Sequence, residues 1–184
     1  GSKYFYSNTG YLLMSLIVQK VSGKTLAEFA KERIFSPLGM KATYFKETLG
    51  RVTPHIASGY ALGSDNVFQT RSSGWTPYGD TGLHTTVGDL AKWQRNFDEP
   101  KVGGEWLVQQ LEQKGVLNNG KEIEYARGLE VNDKGYRGIR TVRHEGGTWD
   151  GYRADLMRLP SEKFSIAVLC NSNNVNPIAL GKQL

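Results

Sequence analysis

The chain has 184 residues, of which 39% are hydrophobic and 22% are charged. This composition is typical of a folded globular protein and excludes a disordered one. Its formal net charge of +5 comes from Lys and Arg that are scattered along the chain, often near Asp or Glu. We therefore expect a solvated basic surface and no nucleic-acid binding. No apolar run has the length of a membrane-spanning segment.

The first predicted element is a helix that follows Tyr6-Ser7-Asn8. Apolar residues recur at helical spacing from Leu12 to Val21, and Gly23 stops the pattern as a C-terminal cap would. The tripeptide stands at the entrance of this helix, where Asn8 or Thr9 could cap the backbone. Capping and a chemical role are therefore both open for Asn8.

Three further helices are predicted from capping boxes and helical periodicity. They begin after Thr25, after Thr86 and near Trp106, and the first of them should end by Gly39. The stretch over 43–78 has no steady period and is rich in Gly, Ser, Thr and aromatic residues. We expect loops and short strands there, of the kind that frame a site.

The period changes to that of strands in the last third of the chain. The predicted strands are Gly128–Val131, Ile139–Arg143, Tyr152–Leu159 and Phe164–Cys170. Turn-forming residues such as Asn132-Asp133-Lys134-Gly135 separate them, which indicates an antiparallel meander. Asn176-Pro177 then begins a last helix.

These elements predict an α+β fold, with a helical region followed by an antiparallel β-sheet. We expect a mainly helical region over residues 3–115. The antiparallel sheet and the start of the C-terminal helix occupy residues 116–184. Both regions are interpreted as parts of one domain.

A second polar motif, His144-Glu145-Gly146-Gly147, follows a predicted strand and precedes Trp149-Asp150-Gly151. Its glycines would let a ligand approach the backbone closely, although a glycine-rich hairpin turn has the same composition. His55 and His84 have no Cys, Asp or Glu partners at metal-ligand spacing, so we expect no metal and no cofactor.

The two motifs and their surroundings resemble the serine β-lactamase and penicillin-binding-protein family. The resemblance extends from about Tyr4 to about Leu180, with its landmarks in the family's order. It rests on Tyr6-Ser7-Asn8 and the residues up to Met40, on Gly79-Asp80-Thr81-Gly82-Leu83, on Arg143 to Gly147 with Gly151-Tyr152-Arg153, and on Leu169 to Asn173.

The family's acylated serine lies in a Ser-x-x-Lys motif, which is absent because no Ser here is followed three residues later by Lys. We expect this motif upstream of Tyr6. The chain is then a C-terminal fragment with an incomplete β-lactamase/transpeptidase-like fold, nearly inactive by itself.

The resemblance also implies roles for five residues. Tyr6 would exchange a proton with the serine hydroxyl and the leaving group, and Asn8 would hydrogen-bond the lysine and a substrate amide. His144 stands where many relatives have Lys, which favours the DD-peptidases, D-amino-acid peptidases and esterases of the family. Gly146 would let the substrate approach the strand, and the Gly147 N–H would form half of an oxyanion hole.

The function implied is hydrolysis of an amide or ester, in a β-lactam, a D-amino-acid peptide or a small ester, through an acyl-serine. The alternative is a catalytically dead family member that binds peptidoglycan-like peptides or a protein partner. The expected partner is a small-molecule or peptide substrate. The resemblance suggests a periplasmic or secreted protein.

Two expectations concern surfaces. Family folds bury a central sheet between N-terminal and C-terminal pieces, so a fragment should expose apolar surface and self-associate. A set of aromatic residues could line a substrate cleft or pin loops to the core, and both interpretations stay open. These aromatic residues are Tyr60, Trp75, Tyr78 and Trp149.

Overall fold

The computed structural model describes residues 1–48, 52–71, 79–149 and 151–183, with the backbone alone for residues 145–148. The α-helices are α1 (Asn8–Ser22), α2 (Leu26–Ala30), α3 (Ser36–Leu38), α4 (Val87–Asp98), α5 (Gly104–Glu112) and α6 (Pro177–Gly181). The strands are β1 (Tyr44–Phe45), β2 (Gly59–Leu62), β3 (Phe68–Arg71), β4 (Leu83–His84), β5 (Glu130–Tyr136), β6 (Ile139–Trp149), β7 (Tyr152–Leu159) and β8 (Phe164–Cys170). None of the helices in this described part is both long and apolar enough to cross a bilayer.

The chain divides into two compact units. A helical unit comprises Phe5–Thr53 and Gly74–Val102, and a sheet unit comprises Gly1–Tyr4, Pro54–Ser73 and Gly103–Leu184. Helix and antiparallel sheet together confirm the predicted α+β fold. The division predicted from the sequence, into a helical region over residues 3–115 and a sheet region over residues 116–184 of one domain, stays a prediction.

Helix α1 begins and ends as its sequence dictates. The Ser7 hydroxyl accepts a hydrogen bond from the Gly10 N–H at 3.1 Å, while Ser7 itself is extended. Gly23 ends the helix in the left-handed conformation and donates its N–H to the Gln19 carbonyl. The helix is confirmed. The cap is Ser7, however, and not Asn8 or Thr9, because the extended residue just before the helix is the one whose side chain can accept from an unpaired N–H of the first turn.

The second predicted helix is confirmed with its capping box between Thr25 and Glu28. It continues through a π-helical turn, Lys31–Phe35, and through α3 to a left-handed Gly39. One core of the helical unit forms on this helix. Its buried members are Ala30, Phe35 and Met40, with Ile34, Leu38, Phe45 and Trp93 packed against them.

Helix α4 begins at Thr86, whose hydroxyl accepts a hydrogen bond from the Asp89 N–H at 3.2 Å. The buried Asp89 carboxylate accepts hydrogen bonds from the Ala42 N–H, the Thr43 hydroxyl and the Lys92 ammonium, at 2.7–2.9 Å. Burial alone would raise the pKa of Asp89, but these donors, Lys92 first, outweigh it and hold the pKa below its usual value. Asp89 therefore ties α4 to the segment before β1.

The apolar residues of α1 do not all turn inward. Leu13, Leu16 and Ile17 are each about half exposed and Val21 is 83% exposed, whereas Ser15 is buried. Residues 13, 17 and 21 are spaced by four, so they form one stripe along the helix. A helix that is apolar on both faces is normally covered on both. This exposed stripe, which we call the α1 apolar face, is an expected contact surface.

The sheet unit is built on an antiparallel sheet with strand order β5-β6-β7-β8. Strands β7 and β8 have the predicted bounds. The prediction for β5 is partly wrong, because the strand begins at Glu130 and not at Gly128 and continues to Tyr136, and β6 continues beyond Arg143 to Trp149. The predicted turn at Asn132-Asp133-Lys134-Gly135 is wrong, because these residues belong to β5. The chain reverses instead at Arg137 and Gly138, both with positive φ, as a tight hairpin turn requires.

Helices α5 and α6 contact opposite faces of this sheet. Arg158 forms an ion pair with Glu112 of α5. The preceding residue, Met157, points to the opposite face, where its register partner Ile166 lies against Gly181 of α6. Leu129 and Val131 are the most deeply buried large side chains in the described part of the chain. The predicted C-terminal helix is confirmed, with Asn176 as its cap.

Candidate active-site motifs

The first motif lies at the start of α1, in the helical unit. Tyr6 is 59% exposed, and its ring centroid lies 6.2 Å from that of Tyr11. Asn8 is the first residue of the helix and is exposed. Because Ser7 supplies the cap, the Asn8 side chain is not committed to that role. Both residues of the Tyr-x-Asn motif therefore occupy a solvent-facing helix entrance.

The second motif lies within β6, in the sheet unit. His144 pairs with Leu156 and Glu145 with Asp155, after which the next pair is Thr148 with Arg153. Two residues of β6, Gly146 and Gly147, therefore stand opposite a single residue of β7. This arrangement is a β-bulge, which leaves an extra residue outside the ladder and bends the strand. The interpretation of the motif as a hairpin turn is wrong, since the chain stays in a strand to Trp149.

Desolvation dominates the chemistry of His144. Part of the His144 side chain is accessible to solvent, but the imidazole is largely surrounded by protein atoms. This burial lowers the pKa of the imidazole to about 4. At neutral pH the ring is uncharged, with one nitrogen donating and the other accepting a hydrogen bond. His144 therefore offers hydrogen bonding and not the positive charge that a lysine would supply at the same place.

Ion pairs fix the strand just before the motif. The Arg143 guanidinium contacts the buried carboxylate of Asp155 on β7 and lies 3.0 Å from the Glu130 carboxylate on β5. Arg143 therefore links β6 to both neighbouring strands. The backbone that leads into His144 is held on its two sides before the bulge begins.

The five predicted site residues fall into two groups. Tyr6 and Asn8 lie together at one helix entrance, and His144, Gly146 and Gly147 lie together on one strand. The groups belong to different units of the chain. Among the residues described, no cluster of His, Cys, Asp and Glu could hold a metal ion.

Two of the four aromatic residues named from the sequence are described. Tyr60 is half-buried on β2, and Trp149 is 39% exposed at the end of β6. Both belong to the sheet unit, which also holds the second motif. Trp75 and Tyr78 lie outside the described residues. A role in a substrate cleft stays a prediction for the set.

Residues 1–182 match the family model described as beta-lactamase. The chain belongs to the β-lactamase family. It is 30% identical to a D-aminopeptidase of Gluconobacter oxydans (strain 621H), over 97% of this chain and 33% of that protein. It is 28% identical to a penicillin-binding protein of Bacillus subtilis (strain 168), over 91% of this chain and 40% of that protein.

The fold of this β-lactamase family member also matches solved structures. The octameric penicillin-binding protein homologue from Pyrococcus abyssi superimposes with a TM-score of 0.87 at 28% identity. That match covers 99% of this chain and 42% of the archaeal one. The chain therefore spans between a third and a half of the length of these relatives. Both the resemblance and the predicted fold are confirmed.

Sequence reasoning missed the contacts that hold the end of β6. Gly151, in the turn after β6, donates its N–H to the Asn173 side-chain oxygen at 3.0 Å. In the sequence, the run Asn171-Ser172-Asn173 stands out only through the family resemblance. A cluster of asparagines just after a strand is the one signal that could have indicated such contacts, because asparagine side chains readily bond to backbone groups.

Proposed function

We propose that the chain supplies part of the active site of a serine hydrolase, which cleaves an amide or ester through an acyl-serine intermediate. The family match over residues 1–182, which includes both motifs, carries this proposal. The substrates are D-amino-acid peptides, small esters or β-lactams. Among these, the relative named D-aminopeptidase favours the D-amino-acid peptides.

The proposed reaction assigns the proton transfers to Tyr6. The serine, from a Ser-x-x-Lys segment outside this chain, attacks the carbonyl carbon as its proton passes to the phenolate oxygen of Tyr6. The carbonyl π electrons move to oxygen and form a tetrahedral oxyanion. When the oxyanion collapses, the C–N or C–O bond breaks and the leaving group takes the proton from Tyr6. Asn8 hydrogen-bonds the lysine and the substrate amide.

The β6 residues act on the developing charge and on the substrate. The Gly147 N–H donates to the oxyanion, and the absence of a side chain at Gly146 allows the substrate to lie close to the strand. The neutral His144 donates a hydrogen bond to a substrate carboxylate. A neutral donor at this place favours a peptidase or esterase over chemistry that depends on a fixed cation.

The test compares this chain with a form extended upstream along its own reading frame. We expect serine labelling by a fluorophosphonate, and turnover of a D-alanyl peptide, a p-nitrophenyl ester or nitrocefin, only in the extended form. Tyr6→Phe should lower the rate of acylation by about 100-fold or more, because general acid–base catalysis contributes that much. Tyr11→Phe, on the neighbouring ring, is the matched control and should stay within about 2-fold.

Three outcomes contradict the proposal. Strong serine labelling of the short chain would place the nucleophile inside it. An extended form that is folded but never labelled would refute the hydrolase assignment. Equal effects of Tyr6→Phe and Tyr11→Phe would remove the catalytic role of Tyr6.

Self-association is the second part of the proposal. The α1 apolar face supports it, because exposed apolar stripes of this kind commonly mark interfaces. The Pyrococcus abyssi homologue is octameric, which adds to this support. Sedimentation velocity over a range of concentrations tests it, and a monodisperse monomer would contradict it.

The alternative function is that of a catalytically inactive family member that binds peptidoglycan-like peptides or a protein partner. The same α1 apolar face favours it, since a binding protein needs such a surface and no nucleophile. The reading frame upstream of Tyr6 decides between the two functions. A Ser-x-x-Lys sequence there supports the hydrolase, and its absence supports the binding protein.

A further inference from the structure

The geometry of the Gly147 amide depends on how both ends of the β-bulge are held. Before the bulge, Glu145 pairs with Asp155. After it, only two pairs, Thr148 with Arg153 and Trp149 with Tyr152, precede the reversal of the chain. Two consecutive glycines have wide conformational freedom, so the bulge does not set its own shape. The short segment after it must be fixed from outside the two strands.

The turn at Gly151 provides this fixed point. Gly151 is buried, has a φ of +87° and donates its N–H to the Asn173 side-chain oxygen at 3.0 Å. The Gly151 carbonyl accepts a longer hydrogen bond, 3.4 Å, from the Tyr60 N–H of β2. A Cβ atom on Gly151 would lie 2.5 Å from backbone atoms of Gly59 and Tyr60. The turn is therefore pressed directly against β2.

The residues after β8 hold both β2 and the turn, and we call Asn171, Asn173 and Asn174 the asparagine clamp. The Asn171 amide donates to the Ser58 carbonyl at 3.0 Å, and the Asn174 oxygen accepts from the Leu62 N–H at 2.9 Å. These two side chains bond β2 and its preceding residue. Within the described residues, Asn173 is the clamp member whose side chain bonds the turn.

Backbone bonds in turn fix Asn173. Its N–H donates to the Tyr60 carbonyl at 3.0 Å, and the Tyr60 N–H donates to the Asn171 carbonyl at 3.0 Å. Tyr60 and Ser172 form a parallel bridge between them. Asn173 is therefore held against β2 by its backbone, and its side chain holds the turn after the bulge in a fixed place relative to β2.

We propose that Asn173 is a positioning residue for the Gly147 amide. The inference rests on the proposed function, in which that amide stabilises the oxyanion. Asn173 acts through Gly151, four residues beyond Gly147, and touches no reacting atom. Without its acceptor oxygen the turn loses a side-chain bond, and the glycine bulge samples other conformations in which the amide points away from the oxyanion.

The first arm of the test is structural and needs no activity. Asn173→Ala removes the acceptor, Asn173→Asp restores an acceptor of the same shape, and Asn174→Ala removes the neighbouring clamp bond to β2 as a matched control. In Asn173→Ala alone, we expect amide hydrogen exchange at Gly151 to quicken at least about 10-fold and the amide NMR resonance of Gly147 to shift or broaden. Unchanged exchange there, or an equal change in Asn174→Ala, would overturn the inference.

The second arm measures catalysis in the upstream-extended form. Asn173→Ala should lower kcat by about 10- to 100-fold, the loss expected when a catalytic group is displaced by about 1 Å, with KM changed by less than about 3-fold. Asn174→Ala should leave both constants near those of the unsubstituted enzyme. An unchanged kcat in a labelled, folded Asn173→Ala variant refutes the positioning role alone. Failure of the unsubstituted extended form to label refutes the proposed function itself.

Discussion

Gly151→Ala should be one of the most destabilising single substitutions in the sheet unit. The new Cβ would lie 2.5 Å from the Gly59 carbonyl carbon and the Tyr60 nitrogen, and 2.7 Å from the Gly59 Cα. These neighbours are backbone atoms, which cannot rotate away as a side chain would. The φ of +87° adds about 1–2 kcal/mol for any residue with a Cβ. Overpacking adds about 1–3 kcal/mol, so the free energy of unfolding should fall by about 2–5 kcal/mol.

A matched control separates the two contributions. Gly138 has a φ of +80°, but a Cβ there would meet no atom within 4 Å. Gly138→Ala should therefore cost only the conformational part, about 1–2 kcal/mol. Both variants are compared by urea unfolding followed by far-UV circular dichroism and tryptophan fluorescence, with two-state behaviour checked by the agreement of the two probes. Equal losses for the two variants would refute the steric argument.

Three further predictions concern other parts of the chain. The folded-state pKa of His144, about 4, lies below its unfolded value of 6.5, so the unfolded chain binds more protons between these pH values. The free energy of unfolding should therefore rise with pH across this window, by at most about 3.4 kcal/mol, and His144→Gln should flatten the rise. An NMR titration midpoint near 6.5 would contradict this. Asp89→Ala removes the carboxylate that accepts from the Ala42 N–H and the Thr43 hydroxyl. The free energy of unfolding, measured in urea, should fall by about 3 kcal/mol. A loss under about 1 kcal/mol would contradict this prediction. Ile17→Lys in the α1 apolar face should weaken self-association at least about 10-fold, as measured by sedimentation velocity. Val52→Lys changes another exposed apolar site of the helical unit and serves as the control. An equal effect of the two substitutions would contradict the prediction.

Strands and helices with strong local signals were predicted well from the sequence. Strands β7 and β8 have their predicted bounds because Pro160 and Ser161 mark the break between them, and because β8 contains the β-branched Ile166 and Val168. The β5–β6 turn was misplaced because Asn132 to Gly135 have turn composition. The actual turn uses Arg137, a residue that rarely adopts a positive φ, so its sequence carries little signal.

The motifs could be found from the sequence, but the geometry of the strand motif could not. Asn173 bonds a turn 22 positions earlier, and Asn171 bonds the Ser58 carbonyl 113 positions earlier. No local propensity reports such long-range contacts. The β-bulge is equally hidden, because its existence depends on how the Gly146-Gly147 segment registers against Ala154 on the next strand.

The unusual burial of α1 connects the helix to the proposed chemistry. Periodicity correctly predicted an apolar helix, yet it could not show that the packed face is the one around Ser15 while the stripe of residues 13, 17 and 21 is open. Tyr6 lies at the N-terminal end of this same helix. We expect variants of the face such as Ile17→Lys to lower the self-association of this chain, and a fall in the acylation rate of the extended form as well would show that the polypeptide covering the face also shields the phenol.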